Sequence, residues 1–186
     1  MLKKNITEIL RTNQSVFTFK ELMLFSGETD SALVKRRISY HLKTGAFYHL
    51  RRGIYAKNKN YNKYELATKI YTPSYISFET VLVEAGIVFQ YYQQIFVASY
   101  LSRELECDKQ RYCYKKLKNS ILINMAGIEN EDIYSIASKE RAFLDTLYLN
   151  HDYYFDNLDP LNWEKVFALL PLYQNERMCK KINEFK

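Results

Sequence analysis

Helix-capping signals within residues 18–45 constrain the fold of this chain more than any other feature. Thr18 stands three residues before Glu21, the reciprocal pattern in which hydroxyl and carboxylate each satisfy a helix-end amide. Leu22 and Phe25 supply an apolar face, and Gly27 supplies a stop. Thr29 and Asp30 then cap a longer helix from about Ser31 to Lys43, closed by Gly45. Upstream, Ile6, Ile9 and Leu10 recur at helical spacing and predict a first helix over residues 3–12. Two short helices and a capped third, separated by tight turns, follow the order of a helix-turn-helix.

Beyond Gly45, the runs Phe47–Leu50 and Ile54–Ala56 flank Arg51-Arg52-Gly53. Short apolar-aromatic runs around a glycine turn predict a β-hairpin. A hairpin directly after the third helix completes a winged helix-turn-helix, which we place at residues 1–60. Arg51 and Arg52 stand near the tip of that wing, where they can enter a minor groove or hold phosphates.

Charge is divided along the same line. Residues 1–63 hold 13 Lys/Arg against 4 Asp/Glu, whereas residues 64–186 hold 14 against 17, giving +6 for the 186-residue whole. A basic segment joined to a near-neutral remainder points to a polyanionic partner for the first part only. At 100° per residue, Val34, Ile38, His41 and Leu42 gather on one side of the third helix, predicted to face the core. Ala32, Lys35, Arg36, Ser39, Tyr40 and Lys43 gather on the other. Leu33 fits the wheel poorly, and Arg37 falls at the border. No acidic residue occurs between Ser31 and Tyr48, although a merely solvated face usually interleaves both signs. Small, hydroxylic and cationic groups together suit a helix lying in a major groove. The expected DNA-contacting set is therefore Ala32, Lys35, Arg36, Ser39, Tyr40, Lys43, Arg51 and Arg52.

The remaining composition narrows the alternatives. Hydrophobic residues make up 47%, enough to build a core. No stretch approaches the ~20 apolar residues of a membrane span, and the start lacks the apolar centre of a secretory signal, so a cytoplasmic protein is expected. Cys107, Cys113 and Cys179 have no metal-ligand spacing and read as reduced structural thiols. His41 and His49 likewise lack Cys or His partners at ligand spacing. The 17 tyrosines are spread along the chain rather than gathered into a stacking platform. No cofactor, metal or catalytic set is expected.

Residues 61–186 read as a second, α+β domain with a small antiparallel sheet under covering helices. Asn62 caps a helix over 63–71 that Pro73 breaks, and Phe78 to Ala85 forms another, stopped at Gly86. Strands are expected at 94–100, 111–117 and 120–124. Ser138 caps a helix carrying Ala142, Leu144 and Leu147; Asn162 opens an amphipathic tail that Pro171 interrupts; a last basic helix spans 175–185. Arg141 and Asp145 are four apart, at intrahelical ion-pair spacing, and with Glu140 they read as structural rather than catalytic. Glu104, Glu106 and Asp108 alternate, with Lys109 following. That pattern is the basis of an alternative reading as a small DNA-directed nuclease, and a protein-interaction module is a third.

In its ordered motifs the chain resembles the AbiEi-type antitoxins, transcriptional regulators of abortive-infection and type IV toxin–antitoxin systems. The resemblance rests on the winged-helix start, Arg51-Arg52-Gly53-Ile54-Tyr55, the run Tyr75 to Leu82 with Gly86, and Ile136 to Tyr148. Lys139 stands where members often carry proline. The resemblance implies a repressor that binds double-stranded DNA at its own promoter or operator. It also implies a second domain that opposes a nucleotidyltransferase-like toxin functionally rather than by tight binding.

Overall fold

The computed structural model describes Ile9 and residues 11–185. The helix expected over residues 3–12 lies outside them except at Ile9, Arg11 and Thr12. The chain forms two compact units, residues 1–70 and 71–186.

The first unit runs β1 (Val16–Thr18), α1 (Phe19–Ser26), α2 (Ser31–Lys43), β2 (Tyr48–Arg51), β3 (Ile54–Ala56) and α3 (Lys63–Ile70). The capping box opens α1 as the spacing predicts: Glu21 N–H donates to Thr18 Oγ1 at 3.2 Å, and Thr18 N–H to Glu21 Oε2 at 2.7 Å. Gly27 ends it at φ 63°, a left-handed conformation that glycine adopts without steric cost. Asp30 caps α2 by accepting the Ala32 N–H at 2.8 Å. β2 and β3 form the hairpin, and β1 pairs on its far side to give a three-stranded sheet ordered β1-β3-β2. Phe17, Leu22, Val34, Ile38 and Phe47 close on Ile9 as one buried cluster. Each such large apolar side chain contributes about 1.5–3 kcal/mol by leaving water.

Helix α3 belongs to this unit, so the unit ends at Ile70 and not at the expected residue 60. The reason is polar. Asn62 Oδ1 caps α3 by accepting from Tyr64 and Glu65 N–H. Glu65 is fully buried, and its Oε2 accepts from Ser15 N–H, Ser15 Oγ and Val16 N–H at 2.8, 2.6 and 3.1 Å. Lys69 lies 3.1 Å from the other Glu65 oxygen and 3.0 Å from Glu21, and donates to Val16 O. A buried carboxylate is tolerated only with this degree of pairing, and the pairing fastens α3 to the start of β1.

The second unit follows as β4 (Ser74–Ile76), α4 (Glu79–Glu84), β5 (Ile95–Ser99), β6 (Arg103–Cys107), β7 (Gln110–Lys116), α5 (Asn119–Leu122), β8 (Ile128–Asn130), β9 (Ser135–Ala137), α6 (Lys139–Leu149), α7 (Trp163–Leu169), a 3-10 turn (Leu170–Tyr173) and α8 (Glu176–Glu184). Its six-stranded sheet is ordered β6-β7-β5-β4-β9-β8. The sheet is mixed, which corrects the expected antiparallel one: β5–β7 and β4–β9 are parallel pairs. After β5 the chain crosses to the outside edge through Tyr100–Ser102. The tight Asp108-Lys109 turn, with both residues at positive φ, then brings β7 back beside β5 in the same direction. Residues 120–124 are not a strand. Ile121 and Leu122 N–H both turn back to Lys118 O at 2.9 Å, and a short apolar run has no periodicity that separates the two structures.

Ser138 caps α6 as expected, and the side chains of Asn162 and Asn175 cap α7 and α8. Phe143 of α6 anchors an aromatic cluster with Phe155, Trp163 and Phe185 at centroid distances of 4.7–6.2 Å. Among the described residues, no helix is long and apolar enough to cross a membrane.

Candidate nucleic-acid interface

Helix α2 divides as its sequence predicts. Val34 and Ile38 are buried, with His41 and Leu42 half-buried beside them, while Ala32, Lys35, Arg36, Ser39, Tyr40 and Lys43 are all exposed. The exposed set recurs at spacings of three, four and seven, forming a stripe about 16 Å long at 1.5 Å per residue. Lys35 holds its ammonium 5.9 Å above the Phe19 ring. Arg37 leaves the stripe, because it forms an ion pair with Glu28 at 3.0 Å. His41 packs edge-on to Tyr40 and against Phe47 at about 5.5 and 5.4 Å, and burial pushes its imidazole below the usual histidine range.

The hairpin separates its two arginines. Arg52 is exposed in the turn, whereas Arg51 is the last residue of β2, half-buried and paired across to Ile54. Gly53 takes φ 75°, and its carbonyl accepts the Phe19 N–H at 2.8 Å. The turn is therefore tied to the first residue of α1, which fixes where Arg52 stands. No carboxylate forms an ion pair with Lys35, Arg36, Lys43, Arg51 or Arg52 among the described residues.

The other charged groups singled out from sequence are arranged differently. Glu104 and Glu106 lie on the exposed face of edge strand β6, Glu106 sits 3.5 Å from Arg111 across the ladder, and Asp108 belongs to the turn. No group of three or more His, Cys, Asp or Glu able to hold a metal occurs among the described residues. No disulfide joins the three cysteines among the described residues, with Cys107 buried and Cys113 and Cys179 half-buried.

Arg141 and Asp145 form a fully buried polar knot. Arg141 Nε reaches Asp145 Oδ1 at 3.2 Å, Nη1 donates to Ala126 O, and Nη2 donates to Ile121 O and the Tyr75 hydroxyl. Asp145 accepts from the hydroxyls of Tyr173, Ser77 and Tyr75 at 2.7, 2.8 and 3.0 Å. Burial pushes the carboxyl of Asp145 upward, opposed by the guanidinium and these hydroxyl donors. Burial, then the charge of Asp145, hold the Tyr75 and Tyr173 phenols well above the tyrosine range, so they stay neutral donors. Glu140 accepts the Asn162 N–H at 3.2 Å. The knot ties α6 to β4, α5 and the 3-10 turn. None of Tyr75, Ser77 and Tyr173 was singled out from sequence as a partner of Asp145. Each lies 28 residues or more away, beyond any local pattern.

Sequence comparison matches the chain to no family model and to no curated protein.

Proposed function

We propose that this chain is a DNA-binding transcriptional regulator whose first unit is a winged helix-turn-helix. The observation that carries the reading is the α2 stripe: six exposed residues, three of them cationic, with no acid between Ser31 and Tyr48. In this reading α2 enters the major groove. Lys35, Arg36 and Lys43 reach phosphates or guanine edges, Ser39 and Tyr40 donate hydrogen bonds, and Ala32 permits close approach. Arg52 touches the adjacent backbone or minor groove, and Arg51 serves chiefly to support it. The resemblance to AbiEi-type antitoxins extends the proposal to repression of the chain's own operon, with the second unit opposing a nucleotidyltransferase-like toxin.

Fluorescence anisotropy with the duplex upstream of the chain's own gene, against a scrambled duplex of equal length, tests the reading. Preference for the first by about 10³ or more is the specific-site result. Equal and strongly salt-sensitive binding to both would reduce the claim to a general polyanion grip. Absence of binding to either would overturn it.

A further inference from the structure

In the second unit, two loops build a surface that the DNA reading does not use. Phe89, Tyr91 and Tyr154 are 68, 80 and 79% exposed, far beyond what burial-driven packing leaves for large rings. The loops that carry them are fastened together. Asp156 and Asn157 N–H donate to Ile87 O at 3.0 and 3.2 Å, and Phe89 N–H donates to Asp156 Oδ2 at 2.8 Å. Tyr92 packs edge-on to Phe96 at 5.3 Å, and Tyr153 packs against Phe155 at 4.9 Å. The exposed rings thus stand on an ordered base.

Between the loops lies a cavity of about 360 Å³ walled by Phe89, Tyr92, Tyr153 and Tyr154 together with Asp152 and Asp156. Neither Lys, Arg nor His lines it. No ion pair within the described residues engages Asp152. Ring faces carry partial negative charge, and a cation within ~6 Å of them is attracted. Two carboxylates at the same mouth add to that attraction and would repel an anion. An apolar guest would leave Asp152 desolvated without a partner.

We propose that this surface docks a Lys- or Arg-bearing segment of a partner protein, with one cationic head in the cavity. The footprint favours a chain over a small free cation, because Tyr91, between the lining residues Gln90 and Tyr92, offers a further exposed ring outside the cavity wall. The proposal is independent of the DNA reading.

The test is a titration of the full-length protein with a fluorescein-labelled peptide of alternating arginine and glycine. Its citrulline counterpart and free arginine amide serve as comparison probes. Saturable binding of the arginine peptide is expected, weakened about two- to fivefold by Phe89→Ala or Tyr154→Ala. Asp152→Asn is expected to weaken binding and flatten its salt dependence. Glu104→Gln/Glu106→Gln, on the other acidic strip, is expected to leave it unchanged. All of these side chains are exposed, and circular dichroism checks that each variant is folded. Equal binding of the citrulline peptide, equal binding by Phe89→Ala and Tyr154→Ala, or loss only in the Glu104→Gln/Glu106→Gln protein would overturn the proposal. Free arginine amide binding as tightly as the peptide would overturn the protein-partner assignment.

Discussion

Arg141 and Asp145 stand one helical turn apart on α6, with neither side chain retaining any exposed surface and Nε 3.2 Å from Oδ1. Their attraction does not by itself repay the loss of two hydration shells. The arrangement holds because three hydroxyls and two carbonyls complete it. Removing one charge is therefore expected to cost more than the pair is worth. Arg141→Met should lower unfolding stability by about 3–5 kcal/mol, and Tyr173→Phe, which deletes one donor, by about 0.5–1.5 kcal/mol. Urea denaturation followed by circular dichroism reads both. Equal effects would mean that the knot is not the source of the stability.

Glu65 gives a second, separate expectation in the first unit. Glu65→Ala leaves Ser15 N–H, Ser15 Oγ and Val16 N–H without their common acceptor, and it frees Lys69 from one of its two carboxylates. A loss of about 2–4 kcal/mol is expected from two unsatisfied amides and the broken buried pair. Hydrogen exchange at Val16 should accelerate in this variant. Unchanged protection there would show that water takes over the role of the carboxylate.

Base reading and phosphate holding by the α2 stripe are separable. Arg36→Ala and Lys43→Ala are each expected to weaken operator binding by about 1–3 kcal/mol if they contact base edges, with discrimination relaxed at one position. A phosphate contact would instead lower affinity for every duplex alike and reduce the salt slope by about 1. Arg52→Ala should weaken binding more than Arg51→Ala, since only Arg52 is exposed. The reverse order would move the proposed wing contact off the turn.

Stability of the first unit should also follow pH through His41. Its imidazole lies below its usual value of 6.5, so the unfolded chain binds the proton more readily than the folded one. The sign follows from linkage: stability is constant above about pH 6.5 and falls as pH drops from there through the lower folded value. In His41→Gln that part of the fall should disappear, as read from urea midpoints between about pH 5 and 8. An unchanged profile would assign the fall to other groups.

The sequence was most legible where local chemistry decides the outcome. The limits of α2 match because Asp30 and the Thr44-Gly45 stop are adjacent to the residues they terminate. The exposed stripe matches because helical periodicity is fixed by geometry. Strand β1 escaped notice because three residues cannot display alternation. Strand β6, Arg-Glu-Leu-Glu-Cys, escaped because its outward face is charged and only its pairing with β7 defines it. The parallel pairs of the large sheet depend on where a crossing loop lands, which no local pattern encodes. The same holds for the donors around Asp145 and for the acceptors of Arg141 in α5 and the loop after it. The pair itself was visible at four-residue spacing; the shell that makes it tolerable was not.

The buried acceptor on α3 also sets where this chain can be cut. A fragment ending at residue 60, the limit expected for the winged helix-turn-helix, would keep the whole cationic stripe and the hairpin yet discard the group that quiets the amides at the start of β1. Such a fragment has every residue proposed to touch DNA and lacks a closed interior. The smallest transplantable piece of this molecule is therefore longer than its contact surface, by one helix that contributes nothing to the proposed contacts.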